Sequence, residues 1–144
     1  MTQSATVDAV RALARLSRLL ERACDDLSLP HYRVLSAIDA GDERASRLAT
    51  RLALGKPTIS AAVDALCRRG LVRRAGSADD QRATDLRITA AGRAALAEAE
   101  AAMLAQFEIV LAHVPDAAVT VAEVTRLGAA LDVVVEERFA SRRP

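Results

Sequence analysis

The sequence is poor in aromatic residues: Tyr32, Phe107 and Phe139 are its only three, and tryptophan is absent. Aromatic rings supply much of the bulk of a thick globular core, whereas alanine, which is abundant here, favours helix. The composition therefore predicts a mainly helical protein with a thin core. Extended helices that pack against a second copy of the chain would compensate for the missing bulk.

Cysteine and long apolar runs are also scarce. Cys24 and Cys67 are the only two cysteines, too few for a disulfide framework, which predicts reduced thiols in the cytosol. No stretch approaches the roughly 20 apolar residues that cross a membrane, and the N-terminus has no basic segment followed by an apolar one. The prediction is a cytoplasmic protein with no membrane partner.

Residue patterns for catalysis and metal binding are absent as well. His31 and His113 are isolated from acidic and cysteine residues at ligand spacing, which argues against a metal site. Gly55-Lys56-Pro57 resembles the end of a phosphate-binding loop, but the earlier glycine is missing and proline replaces the hydroxyl residue. We therefore expect no enzyme, no catalytic residues, no metal and no cofactor.

Charge is distributed unevenly along a chain whose net charge is only +1. Residues 44–93 hold 11 basic and four acidic residues, a net +7, whereas residues 1–43 carry −2 and residues 94–144 carry −4. Nearly all the basic residues are arginine, with Lys56 the single lysine. A basic block between acidic flanks is what a phosphate-binding surface needs, although a solvated arginine-rich face has the same composition.

Apolar spacing of three and four residues predicts four helices in the first half of the chain, over about 7–26, 30–41, 44–52 and 57–70. Ser28 and Pro30 suit the cap and first turn of the second helix. The third and fourth helices are separated by a tight turn.

The pattern then changes to alternation. Residues 71–74 and 85–89 alternate with period two and flank a polar stretch, which predicts a hairpin with a long tip. Two longer helices follow, the first over about 90–113 with Thr89 as its cap. The second is predicted to open at the capping-box pattern Thr120 to Glu123.

Two short helices joined by a tight turn and followed by a hairpin form a winged helix-turn-helix. The predicted fold class is thus mainly α with a small β-hairpin wing, in a single domain over 1–144. The winged helix-turn-helix covers about 28–89, and the dimerisation helices lie in about 1–27 and 90–144. The long apolar stripes of these helices predict a homodimer.

The second helix of such a pair fits the major groove of double-stranded DNA, where its N-terminal residues meet base edges. Lys56, Thr58 and Ser60 stand at that end, and all three can hydrogen-bond bases or phosphates. Arg82, near the hairpin tip, is placed to reach the minor groove or its phosphates.

Two segments resemble the MarR family of transcriptional regulators. Asp80-Gln81-Arg82-Ala83-Thr84-Asp85-Leu86-Arg87-Ile88-Thr89 is similar to the wing signature of that family. The segment from Leu48-Ala49 through Lys56-Pro57-Thr58-Ile59-Ser60 to Gly70-Leu71-Val72 is similar to its helix-turn-helix. The resemblance covers about residues 28–93 by motif and the whole chain by element order.

The resemblance implies a homodimeric repressor that binds a pseudo-palindromic operator, with Asp80 orienting the wing Arg82. Ala61 and Ala65 stand where such proteins often have arginine. We therefore expect fewer side chains to contact bases directly, and the shape of the DNA to contribute a larger share of the specificity. The residues predicted to bind DNA are Lys56, Pro57, Thr58, Ser60, Ala61, Asp64, Arg68, Arg69, Arg74, Asp80 and Arg82.

Regulation has two alternatives. Family members bind small aromatic acids between the dimer helices and the DNA-binding lobe, which implies a small aromatic or phenolic effector near Arg15, Tyr32 and Arg33. Others sense oxidants through a cysteine, so Cys24 or Cys67 would make the protein a thiol-based redox sensor. An architectural or partner-binding winged helix is a further alternative, against which the basic block and Arg82 argue. A DNA-binding regulator would associate with the nucleoid.

Overall fold

The computed structural model describes residues 3–41, 44–75 and 85–140. The elements in chain order are α1 (Gln3–Ala23), α2 (Leu29–Asp39), α3 (Ala45–Arg51), α4 (Lys56–Arg68), β1 (Val72–Ala75), β2 (Asp85–Ile88), α5 (Ala90–Leu111) and α6 (Ala117–Ala140). The predicted element order and mainly helical class with a small hairpin are confirmed. Helix α1 begins and ends a few residues earlier than the predicted range.

The turn between α3 and α4 closes α3 with two backbone hydrogen bonds. The Leu54 N–H donates to the Ala49 carbonyl at 3.1 Å, and the Ala53 N–H donates to the Thr50 carbonyl at 3.1 Å. This is the Schellman arrangement, whose first residue beyond the cap adopts a left-handed conformation. Here that residue is Ala53, with φ 52°. Helices that end in this way usually have glycine at that position.

Replacing Ala53 by glycine is expected to stabilise the fold by up to about 1 kcal/mol. The left-handed conformation costs an L-residue roughly 1–2 kcal/mol, which glycine avoids. Part of this gain is lost because glycine also raises the conformational entropy of the unfolded chain. Urea unfolding at fixed protein concentration measures the change. The matched control is Ala94→Gly on the exposed face of α5, which should lower stability by about 1 kcal/mol. Equal effects of the two substitutions would contradict the explanation.

The core lies where α2, α3 and α4 meet the hairpin. Helix α4 packs against both α2 and α3, and the hairpin packs against α2 and α4. The side chains at the centre of this core are almost wholly buried: Val34, Leu35, Leu48, Ile59, Val63 and Leu66, together with Val72 and Leu86 from the hairpin.

The hairpin pairs its strands antiparallel, with Val72 opposite Ile88 and Arg74 opposite Leu86. Because side chains alternate between the faces of a strand, Val72 and Arg74 share the inward face and Arg73 lies on the other. Gly70, with φ 70°, ends α4 and turns the chain into β1, as the sequence predicted.

Helix α5 begins at the predicted cap, because the Thr89 hydroxyl accepts a hydrogen bond from the Gly92 N–H at 3.0 Å. The predicted cap of α6 is wrong. The Asp116 carboxylate accepts from the Val119 N–H at 3.0 Å, so the helix begins three residues before Thr120. An aspartate directly before the first turn caps a helix well, and the Thr120 hydroxyl instead donates back to the Asp116 carbonyl.

Helices α1 and α6 contribute little to the core. No residue of α1 is buried, and none of the side chains described in α6 is buried. Across the described ranges, 13 large hydrophobic side chains are exposed, and all of them belong to α1, α5 or α6. The chain as a single copy therefore leaves much apolar surface in water.

Candidate DNA-binding surface

Helix α4 presents one continuous face to solvent. Its buried residues, from Ile59 to Leu66 at helical spacing, define the core side. At 100° per residue, the opposite side runs through Pro57, Ala61, Asp64 and Arg68, and all four are exposed. We call these four residues the outer stripe of α4.

The N-terminus of α4 is open at the edge of this stripe. Gly55 occupies the cap position without a side-chain hydrogen bond, and the first turn contains no acidic residue. Lys56, Thr58 and Ser60 are all exposed there. Uncapped N–H groups and the positive end of the helix dipole favour a phosphate, and the three side chains add hydrogen-bond donors. The structure thus brings together the residues that the sequence placed at this end.

Asp64 and Arg74 form an ion pair between α4 and β1. The Arg74 Nη2 donates to the Asp64 Oδ1 at 2.5 Å, and about half of each side chain is exposed. Both residues were predicted to bind DNA, but the sequence held no signal for their pairing. The contact depends on how the hairpin packs on α4, with Arg74 on the inward face.

Two further ion pairs link elements around the helix-turn-helix and the hairpin, and the sequence predicted neither of them. Arg44 Nε lies 3.8 Å from Asp85 Oδ1, which links the start of α3 to β2. Arg93 Nε lies 3.3 Å from Asp39 Oδ1, which links α5 to the end of α2. The partners are far apart in sequence, so no local pattern marks them.

Other residues predicted to bind DNA lie around this surface. Arg68 and Arg69 are exposed at the C-terminal end of α4. Asp80 and Arg82, which the sequence predicts at the hairpin tip, lie outside the described residues, so their contacts stay a prediction.

The residues predicted to bind an effector lie on two helices. Arg15 on α1 and Arg33 on α2 are exposed, and Tyr32 is half-buried. Burial, followed by the negative charge of Glu100, raises the pKa of the Tyr32 hydroxyl. In the part of the chain that is described, a cleft of about 300 Å³ lies between α2, the hairpin and α5, and another of about 200 Å³ lies beside Cys24. Neither is lined by these three residues.

The two cysteines are unbridged and partly buried. Burial, followed by the negative charge of Asp25, raises the pKa of the Cys24 thiol. A raised pKa lowers the fraction of thiolate, the form that reacts with oxidants. The environment of Cys24 therefore disfavours a role as an oxidant sensor.

Residues 3–41, 44–75 and 85–140 hold neither a metal-ligand cluster nor a membrane-spanning helix. No group of three potential metal ligands occurs among them. None of the helices in these ranges is both long enough and apolar enough to cross a membrane.

A helix-turn-helix followed by an antiparallel hairpin, with an exposed stripe on the second helix, is the winged helix-turn-helix fold of DNA-binding regulators. The sequence profile of the MarR family matches residues 25–83. Over these residues the chain is similar to the MarR family of transcriptional regulators, as the sequence motifs predicted. The fold, too, is similar to that of solved transcriptional regulators.

Solved structures similar to this chain include regulators from different organisms. The transcriptional repressor CouR, solved on a 23-mer DNA duplex, is 28% identical, with 85% of this chain and 89% of CouR covered and a TM-score of 0.73. The regulator PcaV of Streptomyces coelicolor, solved with its natural ligand, is 25% identical, with coverages of 85% and 90% and a TM-score of 0.65.

BldR from Sulfolobus solfataricus, at 23% identity, coverages of 90% and 99% and a TM-score of 0.70, is similar in fold. No curated protein matches the sequence.

Proposed function

We propose that the protein is a sequence-specific regulator that binds double-stranded DNA as a homodimer and represses transcription by occupying a pseudo-palindromic operator. The observation that carries this proposal is the outer stripe of α4, with Lys56, Thr58 and Ser60 at its open N-terminus, within a segment of net charge +7. The similarity to CouR, a repressor solved on DNA, supports it.

The major groove is about 12 Å wide and admits one α-helix, so α4 can enter it with the outer stripe facing the bases. Thr58 and Ser60 would meet base edges, and Lys56, Arg68 and Arg69 would meet phosphates on either side. Pro57 and Ala61 have no hydrogen-bond donors, so they offer apolar contact only. Base readout would therefore rest on few side chains, and the shape of the DNA would contribute a larger share of the specificity.

The homodimer is supported by the apolar surface of α1, α5 and α6. Contiguous apolar patches larger than a few hundred Å² are rare on monomeric proteins and mark interaction sites. A symmetric dimer through these helices would place two recognition helices on two half-sites about one turn of DNA apart. A single copy of the lobe offers only one.

Selection of preferred sites from random double-stranded DNA, followed by binding measurements with two variants, tests the function. Arg82→Ala should weaken binding to all duplexes. It should also lower the slope of log K against log salt by about one for each phosphate that a subunit no longer neutralises. Thr58→Ala should instead cost about 1–3 kcal/mol on the selected site and relax discrimination there.

Arg11→Ala removes an exposed arginine of α1 that pairs with Asp8, so it is the control for loss of charge and should bind like the parent. If Arg82→Ala and Thr58→Ala also bound like the parent, the groove assignments would be wrong. A parent that selects no sequence would contradict the proposed function itself.

Modulation by a small aromatic or phenolic ligand near Arg15, Tyr32 and Arg33 is the regulatory part of the proposal. PcaV, solved with its natural ligand, supports it by similarity. Such a ligand acts only through its preference for one spacing of the two recognition helices, and a hundredfold preference is worth about 2.7 kcal/mol. Thiol sensing has less support, because the pKa of Cys24 is raised.

A further inference from the structure

Asp64 places a negative charge in the middle of the outer stripe of α4, between Ala61 and Arg68. A carboxylate there opposes the general attraction to DNA, because every phosphate carries the same sign of charge. The stability of α4 does not account for it, since an acidic residue stabilises a helix near its N-terminus and Asp64 lies well beyond the first turn. The side chain also lies outside the core.

The carboxylate is held by one specific partner. Arg74 reaches Asp64 from the inward face of the hairpin, and its Nη2 donates to Oδ1 at 2.5 Å. An ion pair with half of each side chain in water contributes little to folding stability. Its geometric effect is larger, because the guanidinium fixes the direction of the carboxylate while 51% of the Asp64 side chain stays open to the outside.

We propose that Asp64 is a specificity-determining residue that accepts a hydrogen bond from the N4 amino group of a cytosine in the major groove, with Arg74 as its positioning residue. The inference rests on the proposed function, because it requires the outer stripe of α4 to lie in that groove. Cytosine presents an amino donor there, whereas adenine sets its amino donor beside the N7 acceptor, and guanine and the O4 of thymine present acceptors. An ionised carboxylate facing an acceptor is left unpaired and desolvated, so guanine and thymine are rejected.

Asp64→Asn is the informative substitution, since the amide keeps the shape of the side chain but loses its charge and gains a donor. The variant should tolerate guanine or thymine at the contacted position, and discrimination at one base pair per half-site should fall roughly fivefold or more. Arg74, released from the carboxylate, becomes available to a phosphate. Binding to random-sequence DNA should then tighten, and the salt slope should steepen by about one per subunit.

Asp39→Asn is the matched control, because it also removes one carboxylate of an exposed aspartate–arginine pair in the same lobe, the pair with Arg93 at 3.3 Å. Sites are selected from random duplexes with the parent and both variants, and affinities are measured at two salt concentrations. We expect the parent and Asp39→Asn to select the same site. Only Asp64→Asn should lose the preference for cytosine at one position in each half-site.

A second pair of variants separates positioning from charge. Arg74→Gln alone leaves the Asp64 carboxylate unpaired and close to the DNA phosphates, so this variant should bind random-sequence duplexes more weakly than the double variant Asp64→Asn, Arg74→Gln. If the effects of the two single substitutions on the binding free energy add up to that of the double variant, Arg74 does not position Asp64. Thermal unfolding of all variants checks that each is folded, which is expected because both positions are half exposed.

Site selection by the parent and by Asp64→Asn distinguishes failure of this inference from failure of the proposed function. A parent that selects a defined site, with an unchanged preference at every position in Asp64→Asn, overturns the inference and leaves the proposed function standing. A parent that selects no site overturns both.

Discussion

Gly92→Ala is expected to destabilise the protein by about 3 kcal/mol, at the upper end of the usual cost of overpacking a core. Gly92 is buried in the first turn of α5. A Cβ there would lie 2.7 Å from Ile88 Cγ1 and closer still to the Leu71 carbonyl oxygen. The Leu71 oxygen cannot retreat easily, because it accepts a hydrogen bond from the Thr89 N–H at 3.0 Å.

Thermal and urea unfolding at one protein concentration measure this effect, and a fall in Tm of roughly 6–12 °C corresponds to the expected loss for a chain of this size. Gly55→Ala is the control, since its Cβ would meet only Pro57 Cδ at an ordinary 3.7 Å. That substitution should change stability by less than about 1 kcal/mol, the scale of a cap preference. A Gly92→Ala protein as stable as the parent would show that α5 can shift away from Leu71 and Ile88.

The double substitution Leu127→Asp, Leu131→Asp on α6 is expected to produce a monomer. Operator binding should weaken by roughly a hundredfold or more, because a monomer lacks the second recognition helix that binds the other half-site intramolecularly in a dimer. Leu127 is 53% exposed and Leu131 63% exposed in a single copy. Neither position contributes to the core, so the lobe should stay folded. In a dimer, each carboxylate would be desolvated in an apolar interface.

Sedimentation at micromolar concentration measures the mass, and duplex binding measures the affinity. Ala97→Asp is the control, because it introduces the same charge at an exposed position of α5 in the part of that helix nearer the winged lobe. The control should remain a dimer and bind as the parent does. A parent that is itself a stable folded monomer would contradict the homodimer proposal. A double variant that remains a dimer would show that the interface does not include this part of α6.

Much of the winged lobe was predictable because its signals are local. Glycine after the last turn of α4 marked its end, and Thr89 marked the start of α5. Even the error at α6 was local. Asp116, directly after Pro115, caps the helix, and the capping-box pattern from Thr120 to Glu123 lies inside it. The open N-terminus of α4 was likewise visible as Lys56, Thr58 and Ser60 after a turn.

The strained and long-range features were not predictable. Ala53 adopts a left-handed conformation that its residue type does not favour, so only the tertiary fit between α3 and α4 imposes it. The sequence placed both Asp64 and Arg74 in the DNA-binding set but gave no reason to join them. Their contact spans two elements and depends on the face of β1 on which Arg74 lies.

The sequence by itself determined the order of the helices and strands, the helix-turn-helix with its hairpin, and the basic segment around them. Each of these follows from periodicity, caps and charge within short stretches of chain. Only the tertiary structure decided that Asp64 is held by Arg74 and that Gly92 lies against the Leu71 peptide. It also decided that α1 and α6 keep their apolar side chains exposed in one copy. Packing places residues together that are distant in sequence, so contacts of this kind carry no local signal.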